Sequence, residues 1–201
     1  LCCDKTGTLT EDSLRLEGFV DIDGKKDEKV LVYGMLCNSA KITKAKKLIG
    51  RGIDLAIASS LWAEKLSKAA SQYHVFDRNE FDFDRKMMSI LAGKGPKKEL
   101  IAKGAPESVL YASKFAWMNG RKTRLDKGLR RKLAAKATAY EKKGFLVIAV
   151  ASRPFEKSTS TKSDENGLEI KGFLLFSDPP KKSAQEALKH FQNLGVKVKI
   201  L

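Results

Sequence analysis

No stretch of this 201-residue chain approaches the ~20 consecutive apolar residues that a membrane-spanning helix requires, and the longest apolar runs, 146–151 and 173–176, are strand-sized. Cysteine is scarce. Adjacent Cys2 and Cys3 with a lone Cys37 match neither a disulfide framework nor a zinc-ligand spacing, so no disulfide is expected and a reducing setting fits best. The two histidines, His74 and His190, are isolated, which argues against a histidine-based metal site. No basic-then-apolar leader precedes Leu1-Cys2-Cys3-Asp4, and residues 196–201 alternate like a strand. Both ends therefore read as strand pieces, cut from something longer.

What the chain has in plenty is positive charge. Its 39 Lys and Arg against 24 Asp and Glu give a formal net charge of +15. With 42% hydrophobic and 31% charged residues, it has the material for a core, and a folded chain of one or two domains is predicted. The excess would attract nucleic acid, anionic lipid or phosphorylated small molecules. It gathers in 41–51, 94–103, 121–143 and 181–199, runs that read as solvated faces. Neither interleaved exposed aromatics nor a reader motif accompanies them, so nucleic acid is not expected as a partner.

Periodicity predicts alternating strands and helices. A strand end at 1–3 and a polar turn lead to apolar Leu14, Leu16, Phe19 and Val20, and 29–37 reads as a short helix. Ile53, Ile57, Leu61 and Leu66 recur at helical spacing, with Asp54 suited to the positive end of that helix. Strands are predicted at 73–84, 87–92 and 98–102, the last two joined by Gly93-Lys94-Gly95-Pro96. A helix over 106–113, a turn at Asn119-Gly120 and a helix opened by Asp126 and ended by Gly144 follow. Strands at 145–151 and 170–176 flank a Ser/Thr/Lys/Asp-rich loop, 156–166, read as mobile, and a final helix from Ser183 closes at Gly195. The predicted fold is α/β (α+β): a mixed, mainly antiparallel sheet flanked by helices, inserted into an α/β layer touched at both chain ends.

The stretch richest in chemistry is Asp4-Lys5-Thr6-Gly7-Thr8-Leu9-Thr10. A carboxylate at the carboxyl end of a strand projects into the crevice where α/β sheets bind ligands, and it can attack phosphorus to form an acyl phosphate. Lys5 would neutralise developing charge, Thr6 and the Gly7 amide would bind the transferred oxygens, and Mg²⁺ would screen the repulsion between two anions. An Asp-initiated turn before a second strand is the plainer alternative.

This stretch resembles, without a substitution, the phosphorylation motif of the P-type ATPases. Three further segments resemble the family in the same order: Phe81-Asp82-Phe83-Asp84-Arg85-Lys86-Met87-Met88-Ser89, Lys103-Gly104-Ala105-Pro106-Glu107, and Asp178-Pro179-Pro180. The resemblance covers the chain end to end. It implies a nucleotide-binding domain over 13–176, flanked by pieces of a haloacid-dehalogenase-like phosphorylation domain at 1–12 and 177–201. The parent would be an integral membrane enzyme with this part at the cytoplasmic face, coupling ATP hydrolysis to cation transport, while the 201 residues alone would bind ATP or ADP without turnover. Its partners would be nucleotide and the remainder of the same polypeptide.

By that resemblance Asp4, Lys5 and Thr6 are catalytic, Asp4 and Thr6 hold Mg²⁺, and Asp54, Phe81, Lys86, Lys103, Gly104 and Ala105 bind nucleotide. Phe81 would stack on adenine and Lys86 would face the ring edge or the phosphates. Phe83 reads better as a core residue of an alternating strand. Gly104 and Ala105 would let a flat base approach the backbone, with Lys103 at the pocket floor or, more plainly, a surface lysine before a turn. Asp54 would contact the adenine amino group, or simply cap its helix. Cys2 and Cys3 read as small buried thiols. One departure stands out: where many family members place a phosphate-binding arginine, this chain has Leu146, and Lys142, Lys143 and Arg153 are the candidates to replace it. The segments around 173–183 and 195–201 look most like the magnesium-transporting branch, with proton and calcium pumps as alternatives. A haloacid-dehalogenase-type phosphatase would want an acid two residues after the nucleophile, where this chain has Thr6.

Overall fold

The computed structural model describes residues 1–42, 48–50, 52–118 and 120–200. Strand β1 (Cys2–Cys3) runs into a π-helical turn at Lys5–Leu9 and then β2 (Arg15–Asp21), which buries Leu16 and Phe19. Asp27 opens helix α1 (Glu28–Leu36) by accepting the Lys29 amide at 2.8 Å, replacing one of the hydrogen bonds that the first turn cannot make. Strands β3 (Lys41–Ile42) and β4 (Leu48–Ile49) pair with each other, and helices α2 (Gly52–Ala58) and α3 (Leu61–Ala70) follow. The single helix expected across this stretch is broken. Ser60 takes an extended conformation and its hydroxyl accepts the Ala63 amide at 3.1 Å, so two serines end one helix and cap the next although the apolar spacing runs on.

Strands β5 (His74–Asp82), β6 (Met87–Lys94) and β7 (Lys97–Gly104) form consecutive hairpins. Pro106, whose missing N–H costs nothing in the first turn, starts α4 (Pro106–Ala112). Strands β8 (Ser113–Met118) and β9 (Arg121–Arg124) were not foreseen; of the turn expected between them, Gly120 has a positive φ and Asn119 lies outside the described residues. Helix α5 (Lys127–Glu141) is capped by Asp126, which accepts the Leu129 amide at 2.7 Å, and Gly144 reverses the chain at φ 90°. Strands β10 (Leu146–Pro154) and β11 (Leu168–Ser177), helix α6 (Lys182–Asn193) and β12 (Lys199–Ile200) complete the chain.

Eight strands form the main sheet in the order β5-β6-β7-β10-β11-β8-β9, with β2 also on β11. The outer edge of β11 is shared: Leu168, Glu169 and Ile170 pair in parallel with β8, while 172–177 pair antiparallel with β2. Every other pair in this sheet is antiparallel, as expected for a mixed, mainly antiparallel sheet flanked by helices. Two apolar layers cover its faces. One packs Leu91, Leu100, Ala149 and Phe173 under α4 and α5; the other packs Ile90, Ile101, Val150, Leu174 and Phe176 under α1, α2 and α3. Alternation along each strand sends consecutive side chains to opposite layers, which is why β6, β10 and β11 carry nearly unbroken hydrophobic runs.

A separate pair, β1 parallel to β12, lies at the chain ends. The two chain crossings between this pair and the large sheet are tied together: Glu11 N–H donates to Pro179 O at 2.9 Å, Lys181 N–H to Leu9 O at 2.8 Å, and the Thr10 hydroxyl to Asp178. Cys2 is exposed and Cys3 half-buried, against the expectation of buried thiols, because this two-stranded ladder has little packed over it. Helix α6 likewise buries Ala184, while Leu188 and Phe191 are only partly covered. Among the described residues no helix is long and apolar enough to cross a membrane.

Candidate nucleotide cleft

Two neighbouring hairpins build one wall of the site. Phe81 is the penultimate residue of β5, and Phe83 lies in the turn before β6. Their rings meet edge to face, centroids 5.2 Å apart at 87°. Phe83 is 86% exposed, so the core reading fails: the strand has ended, and its alternation no longer points the ring inward. Phe81 is 50% exposed. Lys86 takes a left-handed φ of 51°, its amide donating to Asp82 O at 2.7 Å, and its ammonium lies 3.4 Å from Glu107.

The floor comes from β7 and α2. Lys103 is 5% exposed and paired with the Asp54 carboxylate, so it is no surface lysine. Its strand has β6 on one side and β10 on the other, which encloses the stem while the ammonium reaches Asp54. Asp54 sits in the first turn of α2, and the described partners of its carboxylate lie outside that helix. Its carboxylate accepts the Ser39 amide at 2.9 Å and the Ser39 hydroxyl, and Asn38 donates to the Asp54 backbone oxygen at 3.0 Å. Burial alone would raise the Asp54 pKa, but the Lys103 charge and the hydrogen bonds from Lys103 and Ser39 outweigh it and hold the carboxyl below its ordinary range. Beneath, burial pushes the Cys37 thiol up to about 12, with its sulfur donating to Met88 O at 3.7 Å.

Gly104 carries a structural demand besides the role expected of it. A Cβ there would run into the Lys86 carbonyl and Met87, and that same carbonyl accepts the Ala105 amide at 2.9 Å. The missing side chain lets β6 and β7 close, which shapes the wall.

These parts enclose a cleft of about 880 Å³. Phe81, Asp54, Lys86, Lys103, Gly104 and Ala105 all line it, so every residue expected to bind nucleotide converges on one place. Met88, Ile148 and Leu146 give it an apolar side. Leu146, 43% exposed, occupies the strand start where the family resemblance implies a cation. Lys142, Lys143 and Arg153 do not line the cleft, and Arg153 instead donates to Asp164 O at 2.9 Å. Asp4 is exposed and lies outside the cleft, after β1, and the side chains of Lys5 and Thr6 lie outside the described residues.

The family model described as P-type ATPase, cytoplasmic domain N, matches residues 27–183, more than half of the chain. The chain belongs to this P-type ATPase N-domain family. The magnesium-transporting ATPase, P-type 1, of Escherichia coli strain K12 is 35% identical to it over 204 residues, covering 100% of the chain and 22% of the relative. A magnesium-transporting ATPase, P-type 1, of Salmonella typhimurium strain LT2 is 35% identical over 211 residues, again 100% of the chain and 22% of the relative. Calcium-transporting ATPase 1 of Lactococcus lactis is 26% identical over 218 residues, covering 98% and 24% respectively. The chain thus spans under a quarter of the length of these P-type ATPases.

Sequence reasoning missed Ser39, which fixes Asp54 from 15 positions away, and the exposure of Phe83 in this N domain. Nothing local marks Ser39, since its contact exists only once α1 and α2 have packed. For Phe83 a signal was present: Asp82 to Lys86 is polar enough to read as a turn, which would have taken Phe83 out of the strand.

Proposed function

We propose that the cleft binds ATP, with the adenine base against Phe81, the Asp54 carboxylate accepting from the adenine amino group, and Lys86 and Lys103 supplying positive charge. The observation that carries this reading is the convergence of an exposed aromatic pair, a buried Lys–Asp pair and an apolar side on one cleft, a combination usual for small-molecule sites of roughly 300–1,000 Å³. Asp54 lacks a proton and is acceptor-only at neutral pH, which suits an exocyclic amino group and disfavours a carbonyl at the same place.

In the whole enzyme the Asp4 carboxylate would attack the γ-phosphorus. A C–O–P acyl phosphate forms, the bond to the β-phosphate oxygen breaks, and ADP leaves. The cleft and Asp4 are separate places, so delivery requires them to approach. Residues 13–176 form the nucleotide-binding unit in this reading, with 1–12 and 177–201 belonging to the phosphorylation domain at the cytoplasmic face. The partly covered apolar side of α6 and the exposed β1–β12 pair support packing of further polypeptide there. Among the described residues no group of three or more His, Cys, Asp or Glu could hold a metal by itself. Mg²⁺ bound through one carboxylate, water and nucleotide phosphates fits the exposed Asp4, with Thr6 as the second proposed ligand. It would supply charge neutralisation between carboxylate and phosphate. The likeness to magnesium-transporting relatives favours magnesium as the cargo of the whole protein, and ATP hydrolysis as what drives it.

Titration of the 201-residue chain with ATP and with ADP, following resonances of Phe81 and of residues around Lys103, tests the cleft. Both nucleotides should shift them; no shift at millimolar nucleotide would overturn the assignment. In the full-length enzyme, Asp4→Asn should abolish the acid-stable phosphoenzyme formed from γ-labelled ATP. Persistent labelling would place the nucleophile elsewhere.

A further inference from the structure

Residues 156–166, read from sequence as a mobile loop, are strapped across β5 and β6 by a polar network. Ser160, 6% exposed, donates its amide to Asp77 at 2.7 Å. Asn79 donates to the Ser89 hydroxyl at 3.1 Å and to the Ser160 hydroxyl at 3.2 Å, and Ser89 donates to Glu165 at 2.6 Å. The Glu165 side chain is 2% exposed and paired with Arg85. A buried carboxylate in a surface loop is costly unless fully partnered, so its presence asks what the partner does.

Arg85 holds the chain on both sides of Phe81. Its guanidinium donates to the Glu80 backbone oxygen at 2.9 Å and lies 3.4 Å from the Asp82 carboxylate. The strap adds a second hold, since Lys162 donates to Asp82 at 2.6 Å. Phe81 itself is half exposed, with Phe83 as its ring neighbour, so its own packing does not fix the ring. The orientation must come from the backbone at Glu80 and Asp82, and through Arg85 that backbone is tied to Glu165. Glu165 is not a lining residue of the cleft, so its effect on a ligand there must be relayed through its contacts, of which Arg85 is the one that reaches both neighbours of Phe81.

We infer that Glu165 is a positioning residue for the Phe81 stacking platform, acting through Arg85. The inference rests on the nucleotide reading of the cleft for its functional consequence, and on the ligand-free contacts for the hold itself.

The test is a double-mutant cycle in the 201-residue chain, read by calorimetric titration with ATP. Glu165→Gln should weaken ATP binding by about fivefold, within the usual coupling of residues in one network, and by less than about 1.5-fold when Phe81→Ala is already present. Any change in thermal midpoint should be equal in the two backgrounds. In the ligand-free chain, Glu165→Gln should also diminish the Phe81–Phe83 ring contacts seen by NMR and speed amide exchange over 80–86. An equal loss of affinity in both backgrounds would overturn the inference, as would unchanged affinity with unchanged ring contacts. If the unsubstituted chain fails to bind ATP, or Phe81→Ala binds it normally, the cleft reading fails instead, and the ligand-free signals still decide whether Glu165 holds Phe81. Should Glu165→Gln not fold, Lys162→Met replaces it: its side chain is 59% exposed, and about a twofold loss that vanishes with Phe81→Ala is the expected result.

Discussion

Replacing Phe81 with alanine separates a ligand platform from a core residue, because the two roles predict opposite pairs of outcomes. Full burial of a phenylalanine is worth ~1.5–3 kcal/mol, so removing a ring that is 50% exposed should cost the fold about 1 kcal/mol. In a chain of 201 residues that is a fall in thermal midpoint of about 2–4 °C. A base stacked on an aromatic ring contributes ~1–3 kcal/mol by alanine substitution. At about 1.4 kcal/mol per decade, Kd should rise roughly 5- to 150-fold. Calorimetric titration with ATP and with ADP gives the affinity, and a thermal melt of the same preparation gives the stability. The loss should be equal for both nucleotides, since the ring faces the base and not the terminal phosphate. Kd within twofold of the original, or a midpoint lowered by more than about 10 °C, would refute the reasoning.

The Lys103–Asp54 pair yields a second test. Lys103→Met leaves an acid with 14% side-chain exposure that keeps, among the described residues, only the Ser39 hydrogen bonds, and urea denaturation should show a loss of ~3 kcal/mol, the lower end for breaking a buried pair. The same acid sets a pH dependence. Its folded pKa lies below the unfolded value of about 3.9, so the unfolded state binds more protons in that range; the stabilisation is complete above about pH 5 and is lost as pH falls through the folded pKa. Urea melts from pH 7 to 3 should be flat and then decline, and Lys103→Met should shrink the decline. Asp77 and Asp82 are lowered as well, Asp77 by the Ser160 and Arg78 amides and Asp82 by Lys162 and nearby amides, so some acid sensitivity should survive that substitution. Gly104→Ala forces β6 from β7 at Lys86 and Met87, and ~1–3 kcal/mol of overpacking together with weaker ATP binding is expected by denaturation and titration.

The sequence was most readable where a signal is local. The Gly95-Pro96 turn, the Asp126 cap and the Gly144 stop each act within a few residues, and the helix and strands they bound are where periodicity puts them. The cleft residues were legible through motifs, each a short contiguous string. What failed was non-local. Strand β8 pairs with its neighbour β9, but it joins the sheet because Ser113, Phe115 and Ala116 find β11 more than 50 positions later, a parallel pairing that no alternation within 113–118 announces. Ser160 and Glu165 sit in a composition typical of solvated loops, and their burial depends on partners on β5, the turn and β6. The break at Ser60 shows the reverse case, in which a capping hydroxyl overrides an unbroken apolar period.

The shared edge of β11 also sets an order of assembly. Strand β2 leaves the ribosome roughly 150 residues before the strand it must pair with, which at ~5–20 residues per second is a wait of about 8–30 s. Strands β8 and β10, once made, await the same late strand, so three edges stand open by the time β11 emerges to close them together. A nascent chain arrested before residue 168 would therefore present sticky edges to chaperones, and completion of the domain would register as a single late event.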